Sequence, residues 1–119
     1  IHTMRDPTLP LTVTEWEEWG NPHDPEQYRW LRAYSPYDNV RPAAYPAVFA
    51  TAGLNDPRVG YWEPAKWIAR LRAAQQSDRP MLLRVYLGAG HAGESGRYGK
   101  MRESAAAYAF VVRALGSAP

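Results

Sequence analysis

Two short apolar segments, separated by one helical pattern, constrain the fold of this chain more than any other feature. AVFATAGL, at 47–54, lies between a proline and an Asn-Asp-Pro turn, and MLLRVYL spans 81–87. Apolar runs of this length, bounded by turn residues, are typical of strands buried on both faces of a parallel sheet. The segment between them, GYWEPAKWIARLRAAQQ, has apolar residues on one side and charged residues on the other, which predicts a helix.

Helical signals also flank these strands. Asp24 and Pro25 have the residue types of an N-cap and a first helical position, and they introduce the short helix EQYRWLRAYS. Residues 1–25 contain four prolines and little periodicity, so we expect irregular or extended structure there. From about Arg97 to Gly116 the apolar residues recur at spacings of four and three, which predicts a helix whose core side carries Met101, Ala105, Tyr108, Val112 and Leu115.

The order helix, strand, helix, strand, helix implies crossover connections and a mostly parallel, doubly wound α/β sheet. Two strands alone make a poor sheet, because each leaves one edge unpaired. The chain also opens on the proline-punctuated lead IHTMRDPTLPLT. We therefore expect residues 1–119 to form the C-terminal part of a larger α/β domain.

Composition excludes several classes of protein. Of the 119 residues, 45% are apolar and 22% are charged, as in globular domains, and no apolar run reaches the length of a membrane span. The N-terminus lacks the basic-then-apolar pattern of a signal peptide. There are no cysteines, which excludes disulfides, thiolate metal sites and cysteine nucleophiles. We expect a cytoplasmic protein that does not bind membranes.

Charge and histidine placement argue against two further kinds of site. The net charge is +2, and the arginines are scattered beside acids rather than clustered, so we expect no nucleic-acid partner. His2 and His23 have no partners at the spacing of metal ligands. We expect no metal and no organic cofactor.

Two polar residues follow the two predicted strands. Asp56 comes after AVFATAGL, and His91 comes after MLLRVYL within the glycine-rich stretch GAGHAGESGR. The carboxyl ends of parallel strands meet at one edge of a sheet, where ligands bind, so we expect these residues to be neighbours. A carboxylate beside an imidazole fixes its tautomer and stabilises the imidazolium. Taken alone, Asp56 is as well explained as a turn residue and His91 as a structural loop residue.

The segments PLTVTEWEEWGNP, YSPYDNV, GLNDPRV, YWEPAKW and GAGHAGESGR carry a resemblance that covers nearly the whole chain. In this order they resemble the C-terminal end of the catalytic domain in the prolyl oligopeptidase family of serine peptidases, and specifically its oligopeptidase B branch. The resemblance implies an α/β-hydrolase fold. The chain order Asp, then His, is also the second half of the Ser…Asp…His order of those hydrolases.

The resemblance also implies roles for individual residues. It makes Asp56 and His91 the acid and base of a catalytic triad, and Arg58 the residue that grips the substrate backbone. It places Glu15 and Glu17 where the family holds the basic side chain that precedes the cleaved bond. If the segment of Glu15 and Glu17 is extended, residues two apart point to the same face, and both carboxylates can converge on one cation.

The nucleophile is missing from this chain. No stretch reads Gly-x-Ser-x-Gly, and the nearest, at 93–96, lacks one residue. In the family, the serine, the oxyanion-hole groups and a gating β-propeller lie upstream, so we expect those parts as partners of this chain. We expect an oligopeptidase that cuts short basic peptides after Lys or Arg. The alternatives are a proline-preferring member of the family and a non-catalytic module that binds peptides or partner chains.

Overall fold

The computed structural model describes residues 1–116 and divides them into two compact units, Ile1–Arg41 and a second unit that begins at Pro42. The first unit is helical. The second contains a strand–helix–strand arrangement followed by a long helix. No helix among residues 1–116 is both long and apolar enough to cross a membrane.

The first unit has more helix than the sequence predicted. A short 3₁₀ helix at Thr3–Arg5 is followed by helix α1, Thr12–Trp19, and helix α2, Pro25–Tyr34. The expectation of irregular or extended structure through residue 25 is therefore wrong for α1. The prolines of this region lie outside α1, so they bound the helix without interrupting it. Gly20 ends α1 with a φ of 110°, a value that glycine adopts readily.

Helix α2 begins and ends where the sequence predicted. The side chain of Asp24 accepts hydrogen bonds from the backbone N–H groups of Glu26 at 2.8 Å and Gln27 at 2.9 Å. These bonds satisfy two N–H groups that have no partner inside the helix. Pro25 occupies the first turn, where its missing N–H costs nothing, and Ser35 is the C-cap.

The second unit confirms the predicted strand–helix–strand order. Strand β1 spans Val48–Gly53, helix α3 spans Trp62–Ala74, strand β2 spans Met81–Tyr86 and helix α4 spans Gly99–Ala114. The strands pair in parallel, in a register that runs from Val48 opposite Met81 to Gly53 opposite Tyr86. Both carboxyl ends therefore lie at the same edge of the sheet.

The core of this unit forms where α3 packs on the sheet. Ile68 and Leu71 of α3 are 1% and 2% exposed, and Met81 and Tyr86 at the two ends of β2 are also buried. At the amino ends of the strands, the Gln75 side chain accepts a hydrogen bond from the Tyr45 N–H at 2.8 Å and donates one to the Tyr45 carbonyl at 3.2 Å. This amide ties the end of α3 to the segment that enters β1.

Helix α4 exists as predicted, but the prediction of its core side is wrong for the described residues. The side chains expected in the core are all exposed: Met101, Ala105, Tyr108, Val112 and Leu115. Phe110 instead contacts β1, with its ring 5.3 Å from that of Phe49. The helix has apolar residues on more than one side, and a two-stranded sheet offers a packing surface to only one of them.

Candidate active site

The site is built at the carboxyl ends of β1 and β2, where the two chain segments stay side by side beyond the strands. The Leu54 N–H donates to the Tyr86 carbonyl at 3.0 Å, and the Asn55 N–H donates to the Ala89 carbonyl at 3.0 Å. The turn after β1 is thereby held against the loop after β2. These two connections carry Asp56 and His91, respectively.

Gly53 permits the close approach of these segments. A Cβ atom at this position would lie 2.6 Å from the Gly90 carbonyl oxygen and 2.7 Å from that of Ala89. Both oxygens belong to the backbone, so they cannot swing aside as the tip of a flexible side chain would. A glycine at the end of β1 is therefore required for this spacing.

The carboxylate of Asp56 is fixed by its own turn. Its Oδ1 atom accepts hydrogen bonds from the backbone N–H groups of Arg58 at 2.8 Å and Val59 at 3.0 Å. Asp and Asn have the side-chain length to make such bonds two and three residues ahead, which is why they are common in turns. The turn thus determines the direction in which the carboxylate points.

That direction is toward His91. The Nδ1 atom of the imidazole lies 3.0 Å from Oδ2 and 3.2 Å from Oδ1 of Asp56. An ionised carboxylate only accepts hydrogen bonds, so the neutral imidazole carries its proton on Nδ1 and leaves the Nε2 lone pair free to act as a base. The Asp56 side chain is 10% exposed, whereas that of His91 is 46% exposed, so a reactant can approach the imidazole.

The pKa of the Asp56 carboxyl lies below its usual value of 3.8. The largest cause is the hydrogen bond from the Val59 N–H, which stabilises the charged form. Partial burial opposes the shift, and the Arg58 N–H and His91 add to it. Asp56 is therefore an anion at neutral pH.

The far end of the histidine loop is anchored to α4. Gly93 has a φ of 87°, in the left-handed region that favours glycine. The Glu103 carboxylate accepts a hydrogen bond from the Glu94 N–H at 2.7 Å, and a Cβ on Gly93 would lie 2.7 Å from Glu103 Oε2. Glycine at 93 thus leaves room for the anchoring carboxylate.

Sequence reasoning missed two residues that shape this site. Asn55 was expected to form the turn and, together with Pro57, to depart from the family pattern beside the acid, and Glu103 was not singled out. The Asn-Asp-Pro sequence signals a turn but not which backbone groups the asparagine binds. An acid in the early turns of a helix is common, so Glu103 carried no distinguishing signal.

The other predicted site residues are not brought into this pair. Arg58 contributes its backbone N–H to Asp56, and its side chain is exposed. Glu15 and Glu17 lie in the first unit and are exposed on α1. The expected extended segment is a helix, and Glu15 and Glu17 do not share one face of it, because residues two apart on an α-helix point about 200° apart. Their substrate role stays a prediction that rests on the resemblance. Among residues 1–116, no three His, Asp or Glu side chains form a group that could hold a metal ion.

Comparison with known proteins decides the family. Residues 1–118 match the profile of the prolyl oligopeptidase family, peptidase S9. The chain belongs to this family. It is 49% identical over 116 residues to protease 2 of Moraxella lacunata and 48% identical over 118 residues to dipeptidyl aminopeptidase BI of Pseudoxanthomonas mexicana, which covers 98% and 99% of the chain.

The structural likeness is equally close. Oligopeptidase B from Trypanosoma brucei, in a closed form with covalently bound antipain, matches 96% of the chain with a TM-score of 0.91 and 48% sequence identity. The predicted α/β-hydrolase fold and oligopeptidase B resemblance are confirmed. The chain spans 17% of the length of the M. lacunata relative and 16% of each of the other two.

Proposed function

We propose that the full-length protein is a serine oligopeptidase that cleaves short peptides after Lys or Arg, and that this chain supplies the acid and base of its catalytic triad. The single observation that carries the proposal is the 3.0 Å contact between Asp56 and His91 at the ends of two parallel strands. Membership in the prolyl oligopeptidase family supports a serine as the nucleophile.

In the proposed mechanism, His91 acts twice in each half of the reaction. Nε2 takes the proton of the serine hydroxyl as its oxygen bonds to the peptide carbonyl carbon, and Asp56 stabilises the imidazolium through Nδ1–H. The imidazolium then gives that proton to the leaving amine as the C–N bond breaks. A water molecule, deprotonated in turn by Nε2, cleaves the resulting ester, and the proton returns to the serine oxygen.

The substrate residues are proposed from the resemblance. Glu15 and Glu17 bind the basic side chain before the cleaved bond, because a cation that leaves water needs a carboxylate partner. Arg58 grips the substrate backbone. The serine, the oxyanion-hole groups and a β-propeller are supplied by parts of the protein outside residues 1–119, consistent with the 16–17% of each relative's length that the chain spans. Neither a metal nor an organic cofactor takes part in the proposed reaction.

A second candidate activity is removal of dipeptides from the amino end of a substrate. The observation that favours it is the 48% identity to dipeptidyl aminopeptidase BI. The same triad serves both activities, because they differ only in how the substrate's amino terminus is held. The distinction therefore rests on substrate binding rather than on Asp56 and His91.

The test uses the full-length protein and short chromogenic peptides with Arg, Lys, Pro or an uncharged residue before the cleaved bond, each with a free or blocked amino terminus. We expect the highest kcat/KM with Arg and Lys, cleavage of blocked peptides, and inhibition by antipain. A preference for Pro contradicts the basic specificity. Cleavage of free but not blocked dipeptide substrates supports the second candidate. Absence of hydrolysis supports the non-catalytic module.

A further inference from the structure

We infer that the side-chain amide of Asn55 is a positioning group for the acid–histidine pair, because it ties the Asp56 turn to the loop that carries His91. This inference rests on the proposed function, in which Asp56 orients His91. The side-chain hydrogen bond of Asn55 goes to the Leu87 carbonyl and not to the imidazole. It acts through the backbone that holds both members of the pair.

The first support is the pattern of its hydrogen bonds. The Nδ2 atom of Asn55 donates to the Leu87 carbonyl at 2.9 Å, and its backbone N–H donates to the Ala89 carbonyl at 3.0 Å. One residue therefore binds the histidine loop on both sides of Gly88. The next residue along the chain is Asp56 itself.

The second support is that side-chain packing does little to restrain the start of the loop, where a backbone bond from the Ala89 N–H to the Tyr86 carbonyl at 3.2 Å closes the turn. The Leu87 side chain is 72% exposed, and a Cβ on Gly88 would meet no atom within 4 Å. Packing begins only at Ala89, which is 1% exposed. The Asn55 amide is therefore the side-chain contact that fixes the peptide before the flexible glycine, four residues ahead of His91.

The third support is chemical. Any residue except proline keeps the backbone N–H at position 55, but the bond to the Leu87 carbonyl needs a side-chain donor of this length. Alanine has no side-chain donor. An aspartate carboxylate would place an acceptor oxygen against the Leu87 carbonyl oxygen, which is also an acceptor. A shift of about 1 Å in a reacting group is enough to cost roughly a hundredfold in rate, so a small relaxation of this loop is measurable.

The chain offers a matched control at the other end of the same sheet. Gln75 also uses a side-chain amide to hold the backbone, with bonds of 2.8 Å and 3.2 Å to Tyr45. It lies at the amino ends of the strands, whereas Asn55 lies at their carboxyl ends. Asn55→Ala and Gln75→Ala therefore each remove an amide clamp, but only the first clamp adjoins the pair.

The experiment measures kcat, KM, melting temperature and the downfield proton resonance of His91 Nδ1–H in both variants of the full-length protein. We expect Asn55→Ala to lower kcat about 10- to 100-fold with KM nearly unchanged, and to weaken the resonance. We expect Gln75→Ala to lower the melting temperature while kcat and the resonance are retained. If Asn55→Ala does not fold, Asn55→Ser, whose hydroxyl is too short to reach the Leu87 carbonyl, replaces it.

Equal losses of kcat in the two variants, or an unchanged resonance in Asn55→Ala, overturn the inference and make Asn55 a merely structural residue. Failure of the proposed function is a different result. In that case the unaltered protein hydrolyses no peptide, and the His91 resonance still tests the positioning. A resonance weakened in Asn55→Ala but not in Gln75→Ala supports the inference. A resonance retained in Asn55→Ala overturns the inference.

Discussion

The carboxylates proposed for the site are presented in opposite ways in the two units of the chain. In the second unit, the Asp56 carboxylate accepts two backbone N–H groups, contacts His91 and is 10% exposed. In the first unit, Glu15 and Glu17 are exposed on α1, and within residues 1–116 neither carboxylate accepts a hydrogen bond. One carboxylate is held in a single direction before any ligand arrives, whereas the other two are free to adjust.

This difference matches the two tasks proposed for these groups. A catalytic pair must be held close to its productive geometry, because small displacements cost large factors in rate. A carboxylate that pairs with a long cationic side chain tolerates more freedom, because a strong charge-assisted contact forms over a range of rotamers. Fixed geometry at the sheet end is therefore expected to control kcat, and charge on the helix is expected to control substrate choice.

The largest expected effect comes from the pair itself. Asp56→Asn keeps an oxygen for the Arg58 and Val59 N–H groups, so the turn is preserved. Its amide N–H₂ then faces Nδ1, which forces the His91 proton onto Nε2 and removes the base. We expect kcat to fall about 10⁴-fold, with a comparable loss in His91→Ala.

Steady-state kinetics and circular dichroism of the full-length variants check this prediction. Near-normal spectra with the expected rate loss support a catalytic pair. Activity within tenfold of the unaltered protein would mean that Asp56 and His91 only stabilise the loops.

The next effect tests the helix. Glu15→Gln and Glu17→Gln keep the side-chain shape but delete the charge, so a substrate cation is left unpaired. We expect kcat/KM for Arg and Lys peptides to fall roughly ten- to a thousandfold, while an uncharged substrate is nearly unaffected. Glu18→Gln, on the same helix, is the matched control and should leave kcat/KM unchanged for both charged and uncharged substrates.

Arg58→Ala gives the complementary pattern. If Arg58 grips the substrate backbone, its loss lowers kcat/KM for charged and uncharged peptides alike. Equal losses on both substrates in Glu15→Gln and Glu17→Gln would instead show that these glutamates maintain the fold.

A smaller effect is expected from the glycine at the end of β1. Gly53→Ala places a Cβ against two backbone oxygens, so the strand ends must separate, at a cost of about 1–3 kcal/mol in the free energy of unfolding. Gly88→Ala is the control, because no atom lies within 4 Å of its Cβ position. It should change stability by no more than about 0.5 kcal/mol.

Thermal unfolding of the full-length variants distinguishes these two positions. A lower melting temperature in Gly53→Ala, with Gly88→Ala unchanged, confirms that close approach at the end of β1 is required. The same melting temperature in both variants would contradict it.

The smallest effect concerns the charge of Asp56. Because the Val59 N–H is the main cause of its lowered pKa, we expect the carboxyl to titrate below 3.8 even in His91→Ala. A carboxyl whose pKa is lower in the folded state contributes stability above its unfolded pKa, and this contribution is lost as the pH falls through the folded value. Carbon-13 NMR of labelled aspartates, assigned with Asp56→Asn, measures the midpoint. A return to 3.8 in His91→Ala would make the imidazole the main cause.

The sequence by itself determined the local elements whose signals lie within a few residues of one another. The Asp24 cap, the two apolar strands and the helix between them are each set by neighbouring residue types, and each is found where it was predicted. It also placed Asp56 and His91 after successive strands. In a parallel strand–helix–strand unit, the ends of such strands meet at one edge.

Only the tertiary structure decided what depends on contacts between distant segments. Helix α1 was not predicted, because its bounding prolines suggested irregular structure. For the same reason Glu15 and Glu17 were wrongly expected to share one face of an extended segment. The exposed side of α4 was assigned to the core because periodicity records which residues share a side, not which side meets the sheet. The Asn55 contact to the Leu87 carbonyl spans 32 residues. Because the acceptor is a backbone oxygen, the residue type at position 87 gives no sign of this bond. Such a partner is visible only once the chain is folded.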